Sequence, residues 1–222
     1  MKNLLREKLK IKLKNKHGVL GKEKYFNSAV LVPLIKINDE WHLLFEKRAN
    51  KIRQGGEVSF PGGEYDSKDN ENFEETAIRE TIEELGIDRN KIEIIGSMGT
   101  LITPMGVSVD PFVAFLKIKV PDELSIDKNE VEKIFTIPLS FFLNNEPLKY
   151  FVQVEVKPSV TNEKGETVEL LPAKKFGLPE RYSKPWRGGR HRILVYETDE
   201  ETVWGITAEL VFEFCKLLKP ES

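Results

Sequence analysis

The chain has 222 residues, enough for one substantial domain with an elaboration rather than two full ones. Its 40% hydrophobic content supports a real core, while 34 Lys and Arg against 36 Asp and Glu leave a formal net charge of −2, too little field to imply a nucleic-acid or membrane partner. No apolar run approaches the ~18 residues of a membrane span. The N-terminus lacks the uninterrupted apolar core of a signal peptide, and a single cysteine, Cys215, excludes an internal disulfide and fits a reducing cytoplasm. Set in a late apolar run, Cys215 reads as a small buried hydrophobe rather than a reactive thiol.

In chain order, the Lys-rich residues 2–16 carry Leu4, Leu5, Leu9, Ile11 and Leu13. They read as a terminal helix packing on its own domain, with a basic amphipathic helix at a membrane surface as the alternative. The expected division is a basic helical segment over 1–24 and one domain over 25–222. Ser28–Ile37 and Trp41–Phe45 are apolar runs joined by the hairpin turn Asn38-Asp39-Glu40. Glu46 to Gln54 reads as a cationic loop, and Val58-Ser59-Phe60 as a short strand ended by Pro61.

A helix follows, with signals at both ends. Asn72 and Glu75 have capping-box spacing, and Gly86 stands where a left-handed C′ residue is wanted. At ~100° per residue Glu80 and Glu84 share a face with Glu83 beside them, while Ala77, Ile78, Thr81, Ile82 and Leu85 form the buried side. Like charges one turn apart repel, and a hard divalent cation would reverse that sign. A solvated acidic face is the alternative for this spacing taken alone.

Beyond the helix, Lys91–Ile95 and Leu101–Phe115 are strand-like around a Pro104-Met105-Gly106 turn, and Asn129–Phe135 precedes a short helix or turn from Ile137. Phe151–Val156 and Glu166–Leu171 read as a hairpin across Asn162-Glu163-Lys164-Gly165, an elaboration over about 150–190. Tyr182, Trp186, Arg187 and Arg190 precede a strand at Ile193–Tyr196; such a mixture can stack a base and bind a phosphate, or simply pack. Asp199 is the expected cap of a last helix through Leu218.

Glu71, then seven residues, then Arg79-Glu80-Thr81-Ile82-Glu83-Glu84-Leu85-Gly86-Ile87 resembles the Nudix box of the Nudix hydrolases, here about 62–87. Two extra residues separate Gly62-Gly63 from Glu71 compared with its commonest form. That longer connection carries Asp66 and Asp69 and follows Gly56-Glu57-Val58-Ser59-Phe60-Pro61, resembling the coenzyme A diphosphatase branch; likeness extends over about 27–217. The resemblance implies an α+β Nudix fold, a mixed sheet between helices (α/β/α), with the C-terminal hairpin as an addition. It implies Mg²⁺ or Mn²⁺ on Glu80, Glu83, Glu84 and the Gly62 carbonyl, with Arg79 orienting Glu83. Carboxylate and carbonyl donors favour those ions over Zn²⁺.

Glu83, Glu84, Arg79 and Glu130 are the catalytic candidates, Glu130 as an acid outside the box. Arg48, Arg53, Gly63, Trp186 and Arg187 are the substrate-binding candidates; Arg53 lies closer to Gly56 than the branch's usual spacing. The expected activity is hydrolysis of coenzyme A or an acyl derivative, a small nucleotide substrate, to adenosine 3′,5′-bisphosphate and a phosphopantetheine, by a monomer or homodimer. The alternatives are a diphosphatase for ADP-ribose, dinucleotides or nucleoside triphosphates, and a non-catalytic Nudix-fold nucleotide-binding or regulatory module. An isoprenoid diphosphate isomerase would need a cysteine near the site, which Cys215 does not supply.

Overall fold

The computed structural model describes Glu7, Lys10, residues 18–69 and residues 72–219; most of the N-terminal basic helix expected from the sequence, and Glu71, lie outside the described residues. β1 (Phe26–Ile37) and β2 (Glu40–Arg48) form the expected hairpin. Its turn is Asn38-Asp39, both at positive φ (47° and 65°), the geometry that matches the twist of the flanking strands. β3 (Val58–Ser59) and β4 (Gly62–Glu64) lead to α1 (Phe73–Leu85); then come β5 (Ile92–Ser97), β6 (Leu101–Ile102) and β7 (Val107–Leu116). β8 (Val131–Pro138) runs into the short α2 (Leu139–Asn144). β9 (Leu148–Val156), β10 (Ser159–Thr161), β11 (Thr167–Glu169), β12 (Trp186–Tyr196), β13 (Val203–Trp204) and α3 (Gly205–Leu218) complete the order.

The main sheet is mixed. It runs β3-β2-β1-β7-β5, with β4 paired to β1, β6 to β7 and β8 to β2; β1 and β7 are parallel and the other pairs antiparallel. Period-two alternation along β1 divides the core. Ala29, Leu31 and Ile35 pack on the face covered by Ala77 and Leu85 of α1, while Val32 and Leu34 join Leu210, Val211, Phe214 and Cys215 of α3 on the other. The sheet is therefore a layer between two helices, the α/β/α arrangement of an α+β fold that the resemblance implies.

α1 is capped at both ends. Asn72 accepts the Glu74 N–H at 3.1 Å, and Gly86, at φ 60°, returns its N–H to the Ile82 carbonyl. The reciprocal half of the expected capping box is not made: the Asn72 N–H donates to the Asp69 carbonyl (2.9 Å), and Glu75 pairs with Arg89 (2.7 Å). At the other end of the chain, β13 occupies the residues before α3. The N-cap is Trp204, not Asp199, and Thr207 anchors the first turn by donating to the Val58 carbonyl at 2.9 Å. Burial lifts the Cys215 thiol to about 11, as a small apolar filler requires.

The elaboration pairs differently from the sequence reading. The turn at 162–165 does close a hairpin, but between β10 and β11. β9 pairs instead with β12, about 30 residues further on, in a three-stranded sheet of order β13-β12-β9. Leu194 and Tyr196 of β12 are buried in the core; anchoring that strand outweighs the local preference of β9 for the nearer segment.

Candidate active site

α1, β4 and the end of β2 converge on one group of charged side chains. β4 lies against β1 and close to α1, the Gly62 N–H reaching Glu84 and the Cα of Gly63 facing Glu80. Gly62 sits at φ 148°, and a Cβ there would stand 2.6 Å from the Val30 Cα. Gly63 has a different reason to be glycine. A Cβ on it would fall 2.9 Å from Glu80 Oε1 and closer still to the carboxyl carbon.

Of the box carboxylates, Glu84 is 2% exposed and accepts the Gly62 N–H through Oε2 at 2.8 Å. Glu80 is mostly buried and Glu83 is exposed, as their places on the helix dictate. Arg79 draws them together: its Nη1 donates to Glu80 Oε1 at 2.6 Å and to Glu83 Oε2 at 3.2 Å. The same guanidinium donates from Nε and Nη2 to both oxygens of Asp69, each at 3.1 Å, a bidentate clamp. This pairing, with the Thr76 hydroxyl (2.8 Å), holds Asp69 at about 2, well below the usual carboxylate range. Asp69 belongs to the longer connection upstream of the helix, which thereby fixes the arginine that fixes the glutamates.

Glu46 completes the group, and the sequence reading passed over it. Leu44 packs beneath α1, and period two puts Glu46 on the same face. Its carboxylate is fully buried; Oε1 accepts the Ser59 hydroxyl at 2.9 Å, and Oε2 has no hydrogen-bond partner among the described residues. Residues 46–48 are thus strand, not the cationic loop expected. Arg48, also in phase, lies between two acids, with Nη1 3.6 Å from Glu46 Oε1 and 3.9 Å from Glu84 Oε1. The available signal was an acid continuing the apolar run Leu43-Leu44-Phe45 in phase with Leu44.

Electrostatically the site is over-supplied with negative charge. Burial raises the affinity of Glu46, Glu80 and Glu84 for protons, and their mutual repulsion adds to it. Glu130, exposed in the turn before β8, contributes to that repulsion on Glu46 and Glu80. Among the described residues no three His, Cys, Asp or Glu side chains stand together as a ready ion cage. Arg79 holds Glu80, and the Gly62 amide holds Glu84. Yet the donors are all oxygen, one buried carboxylate oxygen is orphaned among the described residues, and the absence of a side chain on Gly63 makes room for the Glu80 carboxylate that lies against it. This composition fits a hard divalent cation.

The remaining candidates are dispersed. Arg53 offers its carbonyl to Arg48 Nε (3.3 Å), while its guanidinium stacks over Phe26, 4.8 Å from the ring centroid. A cleft lined by Ala49, Asn50, Lys51, Lys128 and Asn129 opens beside Glu130. Trp186 packs edge-on against Tyr182, 5.3 Å between centroids, and Arg187 lies opposite Glu155; both belong to the three-stranded sheet rather than to the carboxylate group.

The NUDIX domain family model matches residues 26–169. The chain is similar to an uncharacterized Nudix hydrolase, NudL, of Yersinia pestis, 32% identical over 92% of this chain and 88% of that protein. It is also similar to the human mitochondrial coenzyme A diphosphatase NUDT8, 29% identical over 87% of this chain and 70% of that protein. The peroxisomal coenzyme A diphosphatase ndx-8 of Caenorhabditis elegans is 44% identical over a shorter stretch, 42% of this chain and 39% of that protein.

Proposed function

Because the chain belongs to the NUDIX family and is a Nudix hydrolase acting on pyrophosphate bonds, we propose that its substrate is coenzyme A or an acyl-coenzyme A. The products are then adenosine 3′,5′-bisphosphate and (acyl-)4′-phosphopantetheine. The observation that carries this reading is the likeness to a protein named coenzyme A diphosphatase along 87% of the chain, well beyond the box. The Gly56–Gly63 segment and the longer connection bearing Asp69 support it.

In this proposal Glu80, Glu83, Glu84 and the Gly62 carbonyl hold Mg²⁺ or Mn²⁺. When bound, the ion supplies charge neutralisation on the diphosphate and acidifies a water. Arg79, fixed by Asp69, keeps Glu80 and Glu83 at a set separation. The Gly62 amide aims one Glu84 oxygen and leaves the other facing Arg48. Arg48, at the edge of the group, and Arg53, further along its loop, offer guanidinium groups to the substrate's phosphates. Glu83 and Glu130 are exposed and able to take a proton from water, a contribution worth about 10²–10⁴-fold. The sequence candidates Trp186 and Arg187 remain part of the proposal only as contacts to the far end of an extended substrate. A cytoplasmic setting is supported by the lone buried thiol; among the described residues, no helix is long and apolar enough to cross a membrane.

The test is a panel of coenzyme A, acetyl-coenzyme A, ADP-ribose, a dinucleotide and a nucleoside triphosphate with Mg²⁺ or Mn²⁺. Release of two phosphomonoesters from coenzyme A supports the reading. Intact coenzyme A beside cleaved ADP-ribose moves the assignment to that rival.

A further inference from the structure

The three-stranded sheet has an open side. Every residue of β9 except Val154 is exposed, and among the described residues its strand pairing is to β12, leaving its other edge unpaired. Alternation along β9 is inverted relative to a half-buried strand. Leu148, Tyr150, Val152, Val154 and Val156 share a face, with Tyr150 56% and Val152 49% exposed. Nine residues without Gly or Pro, rich in β-branched and aromatic side chains, make the sort of edge that templates pairing with another chain.

We propose that this edge is covered by a second copy of the chain, β9 pairing antiparallel with β9 about a two-fold axis through Val152. The sequence of the strand is self-complementary in that register. Lys149 falls opposite Glu155 of the second copy, twice by symmetry, Leu148 falls opposite Val156, and Tyr150 opposite Val154. Neighbouring registers lose this match. An axis through Gln153 sets Lys149 against Lys157, and one through Phe151 sets Lys149 against Gln153 and Glu155 against Pro147. Lys149 and Glu155 are free to exchange partners, since their present ion pairs, with Glu146 and Lys157, are exposed and 3.6 Å long. Joining the edges continues the apolar face of Tyr150 and Val152 from one copy to the other. The pairing is independent of which diphosphate the enzyme cleaves.

Sedimentation equilibrium on the full chain tests this. A dimer is expected; Lys149→Glu or Glu155→Lys alone weakens it about tenfold by setting like charges opposite, and both together restore it. Val152→Lys, which brings two ammonium groups to the axis, gives monomer; circular dichroism checks that each variant is folded. A wild-type protein monomeric throughout overturns the proposal. So does a dimer indifferent to the single exchanges, or one that the double exchange does not restore.

Discussion

Gly63→Ala separates a role in catalysis from a role in folding. Gly63 is not at positive φ, so alanine suits its backbone, and the loss of unfolded-state freedom is worth roughly 0.4–1 kcal/mol in its favour. The conflict is with one side chain. The added Cβ would lie 2.9 Å from Glu80 Oε1 and nearer to the rest of the carboxylate. Restoring ordinary contact withdraws that carboxylate by about 1 Å, a misplacement that costs on the order of 100-fold in rate, or about 2.7 kcal/mol of transition-state stabilisation. Partial loss of the 2.6 Å Arg79–Glu80 bond offsets the backbone gain, so the melting temperature should move only a few degrees. Initial rates on whichever diphosphate the wild-type enzyme cleaves, with Mg²⁺ saturating, and a thermal melt measure both quantities. A folded variant within about threefold of wild-type activity would refute the link between Gly63, Glu80 and catalysis. Gly62→Ala is the control: its Cβ meets the backbone of Ala29 and Val30 inside the β1–β4 pairing, where no side chain can yield. That variant should lose soluble folded protein altogether.

Glu84→Gln retains an oxygen to accept the Gly62 N–H and relieves charge repulsion; it should keep or raise the melting temperature while turnover falls by orders of magnitude, and a near-normal rate would remove Glu84 from the chemistry. Glu46→Gln should weaken Mn²⁺ binding, followed by electron paramagnetic resonance, by about tenfold; unchanged affinity would make Glu46 a bystander. Asp69→Asn breaks the bidentate grip on Arg79 and should cost about 1–2 kcal/mol at neutral pH. The sign follows from the lowered carboxyl: its stabilisation is present above the unfolded value near 3.8 and is lost as pH falls toward about 2. The difference between wild type and Asp69→Asn in chemical denaturation should therefore shrink across that window, and a constant difference would contradict the assignment.

The box helix was legible because its information is local. Apolar spacing, Asn72 and Gly86 specify α1 and its ends without reference to anything distant. The same holds for the Asn38-Asp39 turn. What the sequence hid was decided by long-range partners. β9 carries no mark that its neighbour is β12 rather than the segment beyond the next turn, and Asp199 has the chemistry of a cap but sits before a strand. Glu46 shows the same limit at the site. Read locally it opens a charged loop; only the pairing of β2 with β3 and β8, and the helix laid over Leu44, turns it inward. Arg48 was found by its charge, but its place between two acids depends on that register.

Cys215 gives the molecule a built-in reporter. Its thiol is sealed between α3 and the sheet and ionises only near 11, so at pH 8 roughly one molecule in a thousand carries the reactive thiolate. An alkylating reagent must wait for the helix to lift away. Labelling rates at this one native position would time the spontaneous opening of the last helix, with no engineered probe and no disulfide to reduce beforehand.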